Sequence, residues 1–242
     1  MRVKSVLETV LPREGLSKLP LFAMGGSSGG SFVLSLPIVM PGVFKGIVAQ
    51  IGGVPPGVMK QYQGMGASTG GAPWPPTMFV HMPRDRHLAA LVALDLQEMK
   101  DAGVPTAEIK VMPQPLTPLY LAQRCAPEVD EPTSRAAYKA LRSAGILDER
   151  GYLLHNPRGY GADGWRAALQ KANVPGLGKL RLRPDASPIA EELNLLWAGH
   201  ELSSETTTDM LNWLESVTSA GAGAGTGAAA ATTRGKGGDE AK

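Results

Sequence analysis

The stretch Leu19-Pro-Leu-Phe-Ala-Met-Gly-Gly-Ser-Ser-Gly-Gly-Ser-Phe-Val-Leu34 decides the fold of this chain. Its apolar beginning predicts a buried strand over residues 19–24, and the glycine- and serine-rich centre predicts a sharp turn. The apolar segment that follows has helical spacing. It predicts a helix from Ser28 to about Met40, interrupted or ended near Pro37. The stretch is therefore a predicted strand–turn–helix unit.

The turn contains G-x-S-x-G, the pattern of a nucleophile elbow, in two overlapping registers. Residues 25–29 place Ser27 at the centre, and residues 26–30 place Ser28 there. In such an elbow the serine lies on a strained turn with its hydroxyl above a sheet, and glycines leave room for the close helix. We favour Ser27, because the strand then ends at Met24 and the second glycine pair begins the helix. The pattern also occurs by chance in glycine-rich turns, so the interpretation needs partners.

A serine hydroxyl becomes a good nucleophile when a histidine takes its proton and a carboxylate orients that histidine. In sheets that carry an elbow, the chain order is serine, acid, histidine. Asp85 follows a predicted strand at 77–82, and His200 precedes the last predicted helix. Ser27, Asp85 and His200 are therefore the predicted nucleophile, orienting acid and general base. The alternatives are a helix N-cap role for Asp85 and a plain surface position for His200.

The other histidines and the single cysteine have plainer interpretations. His81 lies within a predicted strand, where packing or a backbone bond is its expected role. His87 follows Asp85 too closely to reach it well, and His155 lies in a polar loop. Cys125 excludes an intrachain disulfide framework and is expected to be a buried or half-buried thiol.

Composition places the chain among globular proteins. Its 242 residues are 43% hydrophobic and 19% charged, with a formal net charge of +2. The basic residues are scattered, which argues against a nucleic-acid partner. No apolar stretch reaches the length of a membrane span, and Glu8 falls where a signal peptide needs an apolar centre. The sequence therefore predicts a soluble protein.

Strands alternate with helices in the first half of the chain, which predicts a parallel α/β sheet flanked by helices. Helices are predicted at 3–11 and 88–102, and a long loop with weak helical patches at 52–76. The predicted strands cover residues 19–24, 43–51, 77–82 and 107–112.

A helical insertion is predicted at about 113–195, before His200. Two further helices are predicted at 189–200 and 203–217, which completes a domain at 1–218. The alanine- and glycine-rich tail at 219–242 is expected to be disordered, because it has too little apolar surface to bury. The predicted short helices of the insertion cover residues 116–123, 133–144 and 164–172.

Ser27, Asp85 and His200, with the residues around them, resemble the α/β-hydrolase superfamily. More narrowly, the chain resembles a group of plant and algal α/β-hydrolase proteins whose substrates are not established. The resemblance implies an eight-stranded, mostly parallel sheet with its catalytic residues at the carboxyl edge. Ser27 carries over as nucleophile, Asp85 as acid and His200 as base, with the backbone N–H of Ser28 as one oxyanion-hole donor. The resemblance runs to about residue 217, and its four segments are 25–34, 82–86, 109–118 and 191–201.

The chain departs from that family in two places. Several strands precede the elbow in the family, and a loop after one of them supplies the second oxyanion donor. Here only about eighteen residues precede the elbow strand, so we expect a fragment or truncated form with a partial α/β-hydrolase fold and an exposed strand edge. Loss of one oxyanion donor typically costs ~2.7–4 kcal/mol of transition-state stabilisation. The insertion also separates His200 from the last strand, which it usually follows closely.

The sequence therefore favours a serine hydrolase of ester or related acyl bonds, with a small-molecule acyl substrate and an acyl-enzyme intermediate. It needs no metal, no organic cofactor and no cofactor-binding residues. The apolar insertion favours a small or medium apolar acyl group, and a peptidase of the prolyl-oligopeptidase type stays open.

Two other hypotheses belong to different classes. The first is a non-catalytic or truncated α/β-hydrolase-like protein, in which the elbow is only a structural turn. The second, a dinucleotide-binding domain, is poor because G-x-G-x-x-G is absent at 25–30. Oligomeric state stays undetermined, and cytoplasm is only the default compartment.

Overall fold

The structure is a computed structural model. It describes residues 2–66, 68–159, 164–174 and 187–220. The described chain divides into two compact units. The first unit contains the described residues of 1–81, 86–110 and 204–242, and the second contains 82–85 and the described residues of 111–203.

A sheet of four parallel strands forms the centre of the first unit. The strands lie side by side in chain order. The predicted α/β class and the four predicted strands are confirmed, with bounds that shift by no more than two residues. The observed strands are β1 (Leu21–Gly26), β2 (Phe44–Gln50), β3 (Thr77–His81) and β4 (Thr106–Lys110).

Nine α-helices lie within the described residues. A short 3-10 turn, Ser204–Thr206, precedes the last of them. In chain order the helices are α1 (Arg2–Arg13), α2 (Ser28–Val39), α3 (Val58–Gly64), α4 (Arg86–Asp101), α5 (Tyr120–Arg124), α6 (Glu131–Ser143), α7 (Gly164–Lys171), α8 (Pro188–Trp197) and α9 (Thr207–Ala220).

The inner strands β2 and β3 are buried because they have neighbours on both sides and helices over them. Their register pairs Val48 with Met78 and Ala49 with Phe79. Close approach of α9 explains Gly46 in β2, since a Cβ there would stand 3.1 Å from the Leu214 side chain. The sheet thus holds the ends of its strands in a fixed arrangement.

The second unit has its own hydrophobic core, built from α5 to α8. Among its fully buried side chains are Leu141, Trp165 and Leu193. Helix α6 begins two residues earlier than predicted because the Asp130 side chain accepts the N–H of Thr133 at 2.8 Å and caps the first turn. The three helices predicted for this part of the chain are confirmed, with altered bounds. Residues 160–163 and 175–186 of the predicted insertion lie outside the described residues.

The helix predicted at 189–200 ends three residues early, so the predicted end is wrong. It closes at Trp197 because Ala198 adopts a left-handed conformation with φ 58°. The N–H of Gly199 then bonds to the carbonyl of Asn194, as in a Schellman motif. His200 consequently lies beyond α8 in irregular chain.

The last helix, α9, extends to Ala220, two residues into the segment expected to be disordered. The hydroxyls of Thr218 and Ser219 donate to the carbonyls of Leu214 and Glu215 one turn earlier, so both side chains are accommodated in the helix past the predicted end at residue 217. The rest of that expected tail, 221–242, lies outside the described residues. Within the described part of the chain, no helix has the length and apolar character needed to cross a membrane.

Candidate active site

Ser27 occupies the junction between β1 and α2 with an unusual backbone. Its φ is 55° and its ψ is −122°, a combination that costs a non-glycine residue ~1–3 kcal/mol. The Ser27 N–H donates to the carbonyl of Gln50 at 2.9 Å, and its own carbonyl accepts from the Ser31 N–H at 3.1 Å. Neighbouring structure therefore holds the strained conformation on both sides.

Two of the glycines around Ser27 occupy positions where no side chain fits. A Cβ on Gly25 would stand 2.1 Å from the carbonyl oxygen of Gly29. A Cβ on Gly30 would stand 2.7 Å from the carbonyl oxygen of Gln50 and 3.0 Å from the Cα of Gly52. In each case the obstacle is backbone, which cannot rotate away. The helix therefore turns back onto the strand as closely as the sequence predicts.

The backbone conformations of Ser27 and Ser28 differ, and this difference distinguishes the two possible registers of the elbow. Ser27 has the positive φ, whereas Ser28 is the first residue of α2. The first N–H groups of an α-helix have no acceptor within the helix, and they carry the positive end of its dipole. A serine at the strained turn followed by a helical serine fits the assignment of Ser27 as nucleophile and the Ser28 N–H as oxyanion donor. β1 also continues through Gly26, two residues beyond the predicted end at Met24.

Asp85 and His200 meet in the second unit although 115 residues separate them in the chain. The Nδ1 of His200 lies 2.8 Å from Oδ2 of Asp85. The Asp85 side chain is 19% exposed and the His200 side chain 50% exposed, so the pair is reachable from solvent. The structure thus brings together the predicted acid and the predicted base. Ser27 belongs to the first unit.

Local turns place both side chains. Asp85 closes a turn in which its N–H donates to the carbonyl of Met82 at 3.0 Å, directly before α4 begins at Arg86. The position before a helix is the one that the capping interpretation of Asp85 also predicts. His200 follows Gly199, where a Cβ would stand 2.2 Å from Oδ1 of Asn194. Glycine at 199 is therefore needed for the chain to leave α8 in this direction.

Sequence reasoning missed two contacts that flank the pair. The guanidinium of Arg84 lies 3.9 Å from the centre of the Trp197 ring, which is a cation–π contact. Arg84 directly precedes Asp85, and Trp197 precedes His200 by three residues. Glu201 forms an ion pair with Arg158. The sequence could have indicated these contacts, since Arg84 and Glu201 each lie next to a predicted site residue. Together the contacts fix the two chain segments that carry the acid and the base.

The Asp85–His200 contact suits general-base chemistry. A neutral imidazole that donates its Nδ1 proton to a carboxylate keeps its lone pair on Nε2, which can then accept a proton from a hydroxyl. The carboxylate also stabilises the imidazolium that forms in that step. What the arrangement provides is thus an oriented base, one half of what a serine nucleophile requires.

His87, His155 and Cys125 occupy the expected settings, whereas His81 contacts a side-chain carboxylate instead of forming the expected backbone bond. His81 lies in β3 and is 4% exposed, and its Nε2 lies 2.7 Å from Oε1 of Glu108. His87 is exposed in the first turn of α4, and His155 is exposed in a loop. Cys125 is a buried free thiol, as predicted, and burial raises its pKa to about 11. A thiol in that state is a poor nucleophile.

The described residues contain no group of three or more histidine, cysteine or carboxylate side chains arranged to hold a metal ion. No protein-family model matches the chain, and no curated protein matches it in sequence. Function therefore has to be inferred from the elbow and from the Asp85–His200 pair.

Proposed function

We propose that the chain is a serine hydrolase of ester or related acyl bonds, with the α/β-hydrolase arrangement of strands and active-site residues. The observation that carries the proposal is the 2.8 Å contact between His200 Nδ1 and Asp85 Oδ2. Three features of the sequence selected these residues among 22 acidic side chains and four histidines. They are the position after a parallel strand, the order of residues along the chain and the location before the last helix.

Strand order supports the same proposal. β1 and β3 run parallel in one sheet, so their carboxyl ends lie at the same edge. Ser27 directly follows β1, and Asp85 follows β3 by four residues. Ligand sites of open parallel sheets form outside this edge. The proposed chemistry requires the Ser27 hydroxyl to come within reach of the His200 imidazole.

The proposed reaction begins when Ser27 Oγ attacks the acyl carbon while its proton passes to Nε2 of His200. The backbone N–H of Ser28 stabilises the negative charge that develops on the acyl oxygen. The leaving alcohol takes the proton from His200 as the acyl–oxygen bond breaks, which leaves an acyl group on Ser27. Water then attacks this ester and gives a proton to His200, which passes that proton to Ser27 Oγ as the acid departs.

The proposed substrate is a small or medium acyl ester with an apolar acyl group. This expectation rests on the apolar residues of the helical segment that precedes His200 in the sequence. No cofactor enters the proposed steps, because each step is an acyl transfer coupled to a proton transfer that the triad itself carries out.

Labelling with a fluorophosphonate probe tests the proposal directly. The probe forms a covalent bond with an activated serine, and digestion with mass spectrometry locates it. We expect modification of Ser27 in the wild type, none in Ser27→Ala and strong loss in His200→Ala. Ser28→Ala is the matched control and keeps its label, since its role is played by a backbone N–H. An unlabelled wild type with a folded circular-dichroism spectrum would favour the alternative of a non-catalytic α/β-hydrolase-like protein.

A further inference from the structure

The loop after β2 contacts the elbow helix through backbone. A Cβ on Gly52 would stand 2.6 Å from the Cα and carbonyl carbon of Gly30 and from the N of Ser31. The preceding residue, Ile51, has φ 43°, a strained value for a β-branched side chain. The position of this loop therefore helps to fix where α2 begins, and with it the Ser27 turn.

A buried carboxyl group holds the same loop from α4. Asp95 is fully buried, and its Oδ2 accepts the N–H of Val54 at 3.0 Å. Gly53 is small enough for this approach, since a Cβ there would stand 2.9 Å from Oδ2. The other oxygen, Oδ1, is buried and has no hydrogen-bond partner among the described residues. A buried carboxylate with one unsatisfied oxygen is costly, so this site favours the uncharged acid.

A second carboxyl group lies one turn further along α4. Oε1 of Glu98 accepts the N–H of Gly57 at 2.6 Å, and its Oε2 is buried without a hydrogen-bond partner in the described part of the chain. Asp95 and Glu98 therefore hold the two ends of the segment 54–57. Two carboxyl groups this close do not ionise independently.

Few other charges surround Asp95. Among the described residues, Glu98 is the charged group that acts on it, and the loop at 51–57 has no titratable side chain. The neighbouring elements direct their titratable groups elsewhere. Lys60 of α3 is exposed, Tyr62 of α3 donates to the Ala72 carbonyl, and Glu108 of β4 pairs with His81 of β3 and Lys110 of β4.

We propose that Asp95 is a positioning residue for the elbow: uncharged, it holds residues 52–54 against Gly30, and its ionisation loosens that support and lowers the reactivity of Ser27. The second half of this statement rests on the proposed hydrolase function, and the first half does not. Burial, and to a smaller extent the neighbouring Glu98, raise the pKa of Asp95 to about 7 against the lowering effect of the Val54 N–H. The change of state thus falls within the neutral pH range.

Hydrogen exchange of the wild-type protein tests the first half. The measured quantity is the protection of the Val54 amide between about pH 4 and about pH 9, corrected for intrinsic exchange. We expect protection to fall by up to about tenfold per pH unit as the pH rises toward 7 and to level off above about pH 7, because opening exposes Asp95, which then releases the proton that the closed state keeps. Protection that does not change with pH would overturn the proposal without any variant.

Two variants and a control sharpen this test. In Asp95→Asn the fall in protection disappears, because an amide does not ionise. In Glu98→Gln the pH at which protection levels off becomes lower, since removal of a neighbouring negative charge makes Asp95 a stronger acid. Asp101→Asn changes an exposed carboxyl group at the end of the same helix and keeps the wild-type profile. A levelling-off at the wild-type pH in Glu98→Gln would overturn the proposal even if Asp95→Asn fails to fold.

Labelling of Ser27 across the same pH range tests the second half. The wild-type labelling rate falls by about tenfold above pH 7, since misplacing a catalytic group by about 1 Å costs up to about 100-fold. Asp95→Asn loses this fall. If Ser27 labels equally well at pH 7 and pH 9 in the wild type, the positioning role is overturned. If nothing labels at any pH while the pH-dependent fall in Val54 protection is present, the hydrolase proposal fails and the support of the loop by Asp95 stands.

Discussion

Gly30 and Gly52 touch through backbone alone: a Cβ on Gly30 would stand 3.0 Å from the Cα of Gly52. The same imagined Cβ would meet the carbonyl oxygen of Gln50 at 2.7 Å, and that oxygen also accepts the N–H of Ser27 at 2.9 Å. The end of β2 therefore supports both the strained serine and the first turn of the helix after it. A side chain at this contact would displace the turn that carries Ser27.

Gly30→Ala is expected to lower the free energy of unfolding by about 1–3 kcal/mol, because the obstacle is rigid backbone. Gly29→Ala is the matched control in the same helix. A Cβ there meets nothing within 4 Å, and replacing a helical glycine by alanine stabilises by about 0.5–1 kcal/mol. Urea unfolding of both variants measures the difference. Equal effects of the two substitutions would contradict the close contact.

Substitutions at Ser27 separate backbone strain from chemistry. Glycine adopts positive φ without a Cβ penalty, so Ser27→Gly is expected to be more stable than Ser27→Ala by about 1 kcal/mol. Both variants lack the hydroxyl and should lose the fluorophosphonate label. Thermal unfolding ranks their stability, and an alanine variant as stable as the glycine variant would show that residue 27 carries no strain.

Asp85→Asn tests the orienting carboxylate. Loss of this group in serine hydrolases slows the reaction by about 10⁴-fold, because the histidine takes the wrong tautomer. The stability effect should stay below about 1 kcal/mol, since the His200 side chain is 50% exposed and water screens the contact. The measurement pairs the labelling rate with urea unfolding, and Asp101→Asn serves as the control. A fast label in Asp85→Asn would remove Asp85 from the proposed mechanism.

Local patterns predicted the strands and the elbow, because apolar runs and glycine spacing act within a few residues. The order of residue types along the chain selected Asp85 and His200. The burial of Asp95 was not predicted, because the local sequence of an amphipathic helix does not indicate which carboxyl group will be buried against a distant loop. The early end of α8 was not predicted either, because alanine rarely adopts the left-handed conformation that Ala198 has here.

Cys125 should be inert in the native protein. It is 5% exposed, and burial, aided by nearby Glu192, raises its pKa to about 11, so thiolate is scarce at neutral pH. Ellman's reagent is expected to detect no thiol in native protein at pH 8 and one thiol per chain in urea. Reaction in the native state at the rate of a free small thiol would show that the core of the second unit is open to solvent.

Asp95 gives stability a pH dependence opposite in sign to that of a salt-bridged carboxyl group. Its pKa lies near 3.8 in the unfolded chain and is raised by burial to about 7 in the folded protein. Between these values the folded state keeps a proton that the unfolded state has released. The contribution of Asp95 to the free energy of unfolding is therefore greatest below pH 3.8, decreases up to about pH 7 and is constant above it.

Asp95→Asn removes this titration, so the comparison with wild type isolates it from every other group. The difference in free energy of unfolding should shift in favour of the variant as pH rises from 3.8 to about 7, and then level off. Urea unfolding at half-unit pH steps measures the difference, and Asp101→Asn, an exposed carboxyl group, should show a flat one. The difference in free energy of unfolding between Asp95→Asn and wild type could instead be flat, or could shift in favour of wild type as pH rises. Either result would mean that this carboxyl group is ionised inside the fold and that α4 holds the loop by charge.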